Sequence, residues 1–259
     1  MNAMHDPGMF VTPRDLALFR ALALARVLDA DQVATVCKFR SVRRTNRRLL
    51  KLVRAGLLRR WFIGSSTGGP KALYGLSPQS AALIGEARGT LVHWKRDAVL
   101  TGNLFLTHQQ AVNEMLIQVR FQPLPPDFVC ERWTNFHEPI SRSVPLMPDG
   151  YFEVRQRDTV FPMFLEMDLG TETSKAWRRK AELYLKFALG GEFERIFLVK
   201  RFQVLVVLPS TRRMEAVRET IAKRTEKLFW LSTRDQVRSE GFMAPIWLRP
   251  VGHAKVPLV

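Results

Sequence analysis

Asp149 follows Pro148 at the head of the segment DGYFEV, and Glu166 and Asp168 stand two apart inside FPMFLEMDLG. These are among the most apolar runs of a chain that carries 40 Lys and Arg against 24 Asp and Glu. A carboxylate buried without a partner is costly or takes up a proton, so the three acids need a cation, a hydrogen-bond network or a solvent-filled cleft. Residues two apart on a strand share a face. Carboxylates from adjacent strands can converge on a hard divalent cation, Mg²⁺ or Mn²⁺, which takes oxygen ligands and keeps several waters. Such an ion supplies a bound water of lowered pKa and a clamp on phosphate charge, the two requirements of metal-assisted hydrolysis. The segment SKAWRRKAELYLKFAL that follows carries Lys175 and Lys180. Lys180 and Tyr184, four apart, lie on one helical face. The same acids can instead be neutralised without metal, by Lys180 or by an arginine such as Arg178 or Arg179.

The elements that must position these groups are legible in the pattern. THQQAVNEMLIQVRF reads as a helix capped by Thr107. FVCERWTNF, DGYFEV and PMFLEMDL read as strands, SKAWRRKAELYLKFAL as a helix, FQVLVVLPS as a continuous apolar strand and STRRMEAVRETIAKR as a further helix. The order is α-β-β-β-α-β with one more helix, placing an α/β (α+β) domain over 103–259. Asp149 then starts the second strand and Glu166 and Asp168 lie on the third. Glu172 reads either as a carboxylate that supports the acid cluster or, as favoured here, as a cap for the helix beginning near Ser174. The aromatics Trp133, Phe136, Trp177 and Phe187 fall on strand and helix faces beside other apolar residues, and read as core. Gly85 to Gly102 mixes glycine, charge and short apolar pieces, and reads as the connection to what precedes.

The front of the chain carries most of the excess charge. The whole has a formal charge of +16 and a pI near 10.7, which suits a polyanionic partner. Met1 to Gly75 holds 14 Lys and Arg against 4 Asp and Glu, and Lys38 to Arg60 holds ten basic residues and no acid. A block of one sign inside folded sequence usually faces a partner. TPRDLALFRALALARVL opens with Thr12 as N-cap and Pro13 at the first helical position, with an apolar stripe of Leu16, Phe19, Leu22, Ala23 and Val27. DADQVATVC supplies a short second helix. A third, SVRRTNRRLLKLVRAG, is capped by Ser41 and ended by Gly56, with Val42, Leu49, Leu52 and Val53 turned inward and Arg43, Arg44, Arg47, Arg48, Lys51 and Arg54 on the remaining surface. LLRRWFIGSS and KALYGLS flank TGGP as a β-hairpin.

Three helices and a hairpin in this order, over 10–90, resemble the winged helix-turn-helix of bacterial regulators. The resemblance implies that Ser41, Arg43, Arg44 and Arg47 approach base edges or phosphates of double-stranded DNA, that Arg48 and Lys51 extend that basic surface, and that Arg59, Arg60 and Lys71 follow the backbone around the wing. The second domain resembles the restriction-endonuclease-like PD-(D/E)xK fold. Pro148-Asp149 matches the first half of its signature, and Glu166-Met167-Asp168 the second, with Asp168 where the lysine belongs. In branches of that fold the basic group has moved to the following helix, where this sequence offers Lys175 and Lys180, and Lys180 with Tyr184 resembles the helix motif of RecB-like nucleases. On this likeness Asp149, Glu166, Asp168, Lys180 and Tyr184 are the candidate catalytic set, and the three acids the candidate metal ligands.

The combination, with LEMDLGTE and K-x-x-x-Y, resembles the replication-relaxation family of bacterial plasmids and integrative elements. Membership implies a DNA-binding accessory or regulatory role in replication, relaxation or mobilisation, with a relaxase or replication protein as a possible partner. A metal-dependent endonuclease is the rival reading. A homodimer is the ordinary expectation for a helix-turn-helix protein on a palindromic site.

Other chemistry is poorly represented. The two cysteines lie far apart without ligand spacing, the five histidines are scattered, and GSSTGGPK lacks the ending of a phosphate loop. No run approaches the roughly 20 apolar residues of a membrane-spanning helix, and MNAMHDPGMF lacks the features of a signal peptide, so a cytoplasmic address without membrane partners is expected.

Overall fold

Thr12 opens the first helix through a reciprocal box: its Oγ1 accepts from the Asp15 N–H at 3.3 Å while Asp15 Oδ2 accepts from the Thr12 N–H at 2.7 Å. This computed structural model describes residues 10–65, 68–86, 103–136 and 138–259. The chain divides into two compact units, 1–117 and 118–259. The first contains α1 (Pro13–Ala25), β1 (Val27–Asp29), α2 (Ala30–Val36), α3 (Val42–Arg54), β2 (Leu58–Ser65), β3 (Gly68–Leu76), α4 (Pro78–Glu86) and most of α5 (Asn103–Arg120).

The buried face of α1 is Leu18, Phe19, Ala21, Leu22 and Ala25; Ala23 is exposed and Leu16 half-buried. The stripe is thus rotated from the one expected. Val27 is not in the helix at all, because Arg26 at φ 63° breaks it and starts β1, a strand too short for periodicity to reveal. Asp29 and Gln32 cap α2 reciprocally, at 2.8 and 3.2 Å. Ser41 caps α3 as expected, but the inward face is Thr45, Leu49 and Leu52, with Val53 half-buried and Val42 46% exposed. Gly56, at φ +71°, closes α3: its N–H bonds the Val53 carbonyl at 3.0 Å and the Leu57 N–H that of Leu52 at 2.9 Å. That is a Schellman ending, which requires the left-handed backbone glycine adopts freely.

β1, β3 and β2 form an antiparallel sheet in that order. One face of its hairpin, with Ile63 and Leu73, packs with Val27, Leu106, Trp61 and Phe105. The connection expected from Gly85 to Gly102 lies, from residue 87 on, outside the described residues, as do residues 66 and 67 at the hairpin tip. α4 was not anticipated; Ser77 and Ser80 cap it by exchanging backbone-to-hydroxyl bonds at 3.2 and 3.1 Å. α5 starts a turn earlier than expected, so Thr107 lies inside it. Asn113 and Gln110 tie it to the first unit through the Val27 carbonyl at 2.5 Å and Gln32 Oε1 at 3.0 Å. Residues 103–117 therefore belong to the first unit, not to the second domain in which the sequence pattern had put them.

The second unit holds β4 (Phe128–Thr134), β5 (Gly150–Gln156), β6 (Thr159–Met167), α6 (Ser174–Leu189), α7 (Glu192–Phe197), β7 (Gln203–Leu208), α8 (Thr211–Ala222), β8 (Phe229–Thr233) and α9 (Arg234–Glu240). Its sheet runs β4-β5-β6-β7-β8, antiparallel to β6 and parallel from β6 through β8. The fold class is mixed α/β, a winged helix followed by elements in the order α-β-β-β-α-β. α7, β8 and α9 extend that order. β6 is central and buried along Pro162–Met167, which explains an apolar run without alternation. Phe164 of β6 meets Tyr184, Phe193 and Phe202 at ring separations of 5.8, 6.0 and 5.1 Å, so the helices close over this face of the sheet. Trp177 and Phe187 lie in that core, Phe136 packs against it, and Trp133 stacks on Phe152 at 5.5 Å. Among the described residues no helix is long and apolar enough to cross a membrane.

Candidate functional site

Asp149, just before β5, is fixed to β6 from both ends of the residue. Its N–H bonds the Leu165 carbonyl at 3.0 Å and its Oδ2 accepts from the Met167 N–H at 2.7 Å. Glu166, one residue back along β6, is 1% exposed and faces α6. Its Oε2 accepts from Lys180 Nζ at 2.7 Å and its Oε1 from the Tyr184 hydroxyl at 2.6 Å. The four-residue spacing on α6 aims both donors at one carboxylate. Lys180 also reaches Glu172 Oε1 at 2.5 Å and lies 5.1 Å from the Trp177 ring centroid.

The charges follow from this geometry. Burial pushes the Glu166 carboxyl up to about 7; the Lys180 ammonium pulls back and the Asp149 charge pushes further. Burial alone would depress Lys180, but Glu166 and Glu172 hold it protonated well above the usual lysine range. Tyr184 is raised by burial and then by Glu166, so its hydroxyl stays a donor.

Asp168 is built differently. It is 1% exposed, and its Oδ1 accepts from the Gly170 N–H at 2.5 Å. Its Oδ2 accepts from Trp177 Nε1 at 2.9 Å and from Arg213 Nε and Nη2 at 2.9 and 2.5 Å. Against the opposing effect of burial, these donors hold its carboxyl below the ordinary aspartate range. Arg213 Nη2 also donates to the Glu172 carbonyl. Asp168 therefore ties α8 and the start of α6 to the end of β6, and its oxygens are taken by four protein donors. Among the described residues no group of three His, Cys, Asp or Glu is placed to hold a metal ion. Of the three acids expected to share a metal, Asp168 is taken up by Arg213, and Asp149 and Glu166 remain as the candidate pair, with Lys180 on Glu166. A pair still fits Mg²⁺, which is commonly held by one or two carboxylates with waters and substrate phosphates. One carboxylate oxygen of the cluster, Glu172 Oε2, is buried and accepts no hydrogen bond among the described residues.

Glu172 is not the cap of α6; Thr173 is, accepting from the Ala176 N–H at 3.2 Å. Nor do Arg178 and Arg179 answer the acids, since both point outward as exposed residues of α6. Arg213 was missed altogether. It is 45 residues from its partner, and no local spacing marks it.

In the first unit, Arg43, Arg44, Arg47, Lys51 and Arg54 are exposed on α3, and none makes an ion pair among the described residues. Arg44, Arg47 and Lys51 line one cavity with Arg14 at the start of α1. Other residues grouped with them have structural tasks. Arg48 Nε and Nη2 bind Asp15, the first at 2.9 Å, and Nη2 also reaches the Phe10 carbonyl at 2.9 Å. Ser41 Oγ accepts from the Arg44 N–H at 3.4 Å, and Lys71 Nζ lies 2.5 Å from Asp29 Oδ2. Arg59 is half-buried and engaged with a partner, while Arg60 is exposed with its guanidinium 4.9 Å from the Phe62 ring centroid.

A winged helix joined to a mixed α/β unit with an acid–lysine cluster under its first crossover helix is the class of protein these observations define. The sequence model of the replication-relaxation family matches residues 19–198, well over half of the chain, and the protein belongs to that family. The match takes in α3, the hairpin and the Asp149–Glu166–Lys180–Tyr184 cluster and stops short of Arg213. Membership gives the chain a role in replication or relaxation. No relative was found among curated proteins. One solved structure, that of the restriction endonuclease FokI, is similar at 12% identity and a TM-score of 0.36, covering 90% of this chain and 46% of that one. The chain thus spans under half the length of that protein, a similarity too distant to carry any residue's role across.

Proposed function

We propose that the protein is a double-stranded-DNA-binding accessory or regulatory component of a plasmid or integrative mobile element, acting in the cytoplasm in replication, relaxation or mobilisation. The observation that carries this is the face of α3: five exposed cations, Arg43, Arg44, Arg47, Lys51 and Arg54, without an acidic partner among the described residues. Unpaired like charges along one helix repel one another and gain most from a polyanion whose counterions they displace. α3 follows a short helix and a turn and precedes a hairpin, the placement of a recognition helix in a major groove. A homodimer on a palindromic site and a relaxase or replication protein as neighbour extend this reading.

A second reading, a Mg²⁺- or Mn²⁺-dependent endonuclease, is favoured by one observation: Glu166 accepts at 2.7 Å from a lysine supplied by the next helix, and the Asp149 charge acts on the same carboxyl. When bound, a divalent ion would bring a water of lowered pKa and neutralise phosphate charge. Asp149 and Glu166 would hold it, and Lys180 and Tyr184 would orient Glu166. A gel shift combined with cleavage of supercoiled plasmid, with and without Mg²⁺ or Mn²⁺, tests both. Salt-sensitive duplex binding without cutting is the result expected of the first reading. Metal-dependent nicking that Glu166→Gln abolishes establishes the second, and no duplex binding at all removes the first.

A further inference from the structure

We propose that the wing carries an apolar wedge for DNA, Phe62, which enters a base step of the bound duplex while Arg60 beside it meets the backbone. The inference rests on the reading of the first unit as a duplex-DNA binder and says how the wing engages its ligand. Phe62 is 55% exposed on β2, whereas the neighbouring aromatics Trp61 and Tyr74 are half-buried and buried. Register sets it apart. Arg60 and Phe62 lie opposite Tyr74 and Ala72 on one face of the hairpin, while Ile63 and Leu73 on the other face pack with the core of the unit.

The ring is held, not loose. The Arg60 guanidinium covers one side at 4.9 Å and lies against the buried Tyr74 hydroxyl. With 55% of the residue exposed, a large part of the ring stays open to solvent. Around it, residues 32–85 contain eleven Lys and Arg and no Asp or Glu. That field repels a second copy of the same surface and attracts a polyanion. Of polyanions, DNA also offers the ring something apolar, the stacked faces of its bases. Apolar side chains inserted between base steps unstack and bend the duplex, most easily at flexible or already distorted steps.

The test uses the full chain and two labelled probes, a short duplex of mixed sequence and the same duplex with a single unpaired adenine, in anisotropy titrations at several salt concentrations. Because the bulge has already given up part of its stacking, the wild type should bind it about tenfold more tightly than the intact duplex, which corresponds to about 1.4 kcal/mol. Phe62→Ala should weaken binding by about tenfold and lose the preference for the bulge while keeping the salt slope. Phe62→Trp should restore the preference, which a merely structural phenylalanine would not require. Circular dichroism melts of each variant establish that the fold is kept. If Phe62→Ala binds both probes as the wild type does, while Arg43→Ala/Arg47→Ala loses affinity, the wedge alone is overturned. If the wild type binds neither probe, the wedge falls together with the reading beneath it.

Discussion

Arg213 of α8 donates two hydrogen bonds, at 2.9 and 2.5 Å, to a single oxygen of Asp168, 45 residues earlier at the end of β6. This accounts for a second buried acid two residues after Glu166. The two carboxylates of LEMD are answered separately, Glu166 by Lys180 and Asp168 by Arg213. The surplus of bases that makes the chain a candidate DNA binder also neutralises its buried acids.

Removing Arg213 should expose the cost of that arrangement. Arg213→Ala leaves Asp168 buried with only Trp177 and Gly170 as donors, and breaking a buried pair from one side typically costs about 3–5 kcal/mol. The loss should sit near the lower figure because Arg213 is itself 21% exposed. Arg213→Met combined with Asp168→Asn should cost less than the single change. Urea melts at neutral pH measure both; a single-variant loss below about 1 kcal/mol, the scale of an exposed ion pair, contradicts the clamp.

The parts of this fold that sequence made legible are those whose causes are local. Thr12 and Ser41 each announce a helix by capping it, and α6 begins at Ser174, where the sequence pattern placed its start. The helix faces were read less well. Thr45 is wholly buried on α3 while Val42 is exposed, because tertiary packing chose the face and not the apolar count. In the site, Glu166, Lys180 and Tyr184 were found because a strand position and a four-residue helical spacing bring them together. Asp168 was assigned to the wrong partner because Arg213 is distant in sequence, and Glu172 was read as a cap because a carboxylate before a helix usually is one.

Glu166 should give the second unit a pH dependence near neutrality. Its folded-state pKa, about 7, lies above the ordinary value of 4.5, so the native state keeps a proton that the unfolded chain releases. The contribution is therefore fully present below pH 4.5 and lost as pH rises through 7. The melting temperature of the wild type should fall from pH 5 to pH 8 relative to that of Glu166→Gln, which cannot titrate there. Parallel curves for the two proteins contradict the assignment.

Three arginines of α3 should separate stability from binding. Arg48→Ala removes the partner of buried Asp15, and should lower the melting temperature, with a smaller effect on DNA affinity than changes at its exposed neighbours. Arg43→Ala/Arg47→Ala should leave the melt unchanged and weaken duplex binding. Each lost phosphate contact lowers the slope of log affinity against log salt by about 0.9, so the double variant should lose about 1.8 if both arginines contact phosphate. Unchanged affinity and slope in the double variant take α3 out of the interface.

Metal is the remaining question for the acid–lysine cluster, and a melt answers it. If Asp149 and Glu166 bind a divalent ion, Mn²⁺ or Mg²⁺ binds the folded state preferentially, and the melting temperature of the second unit rises with ion concentration, by about 2.7 kcal/mol of stabilisation at a hundredfold excess over the dissociation constant. Asp149→Asn should abolish the rise. Glu166→Gln should abolish it as well, and should also destabilise the protein without metal, because Lys180 then loses one of its two carboxylates and keeps only Glu172. Asp168→Asn should leave the rise intact, since that residue is held by Arg213, Trp177 and Gly170 and stands outside the pair. A wild-type melt that no concentration of Mn²⁺ shifts makes Lys180 the only cation of the site and removes the nuclease reading, while the DNA-binding reading, carried by α3, stands.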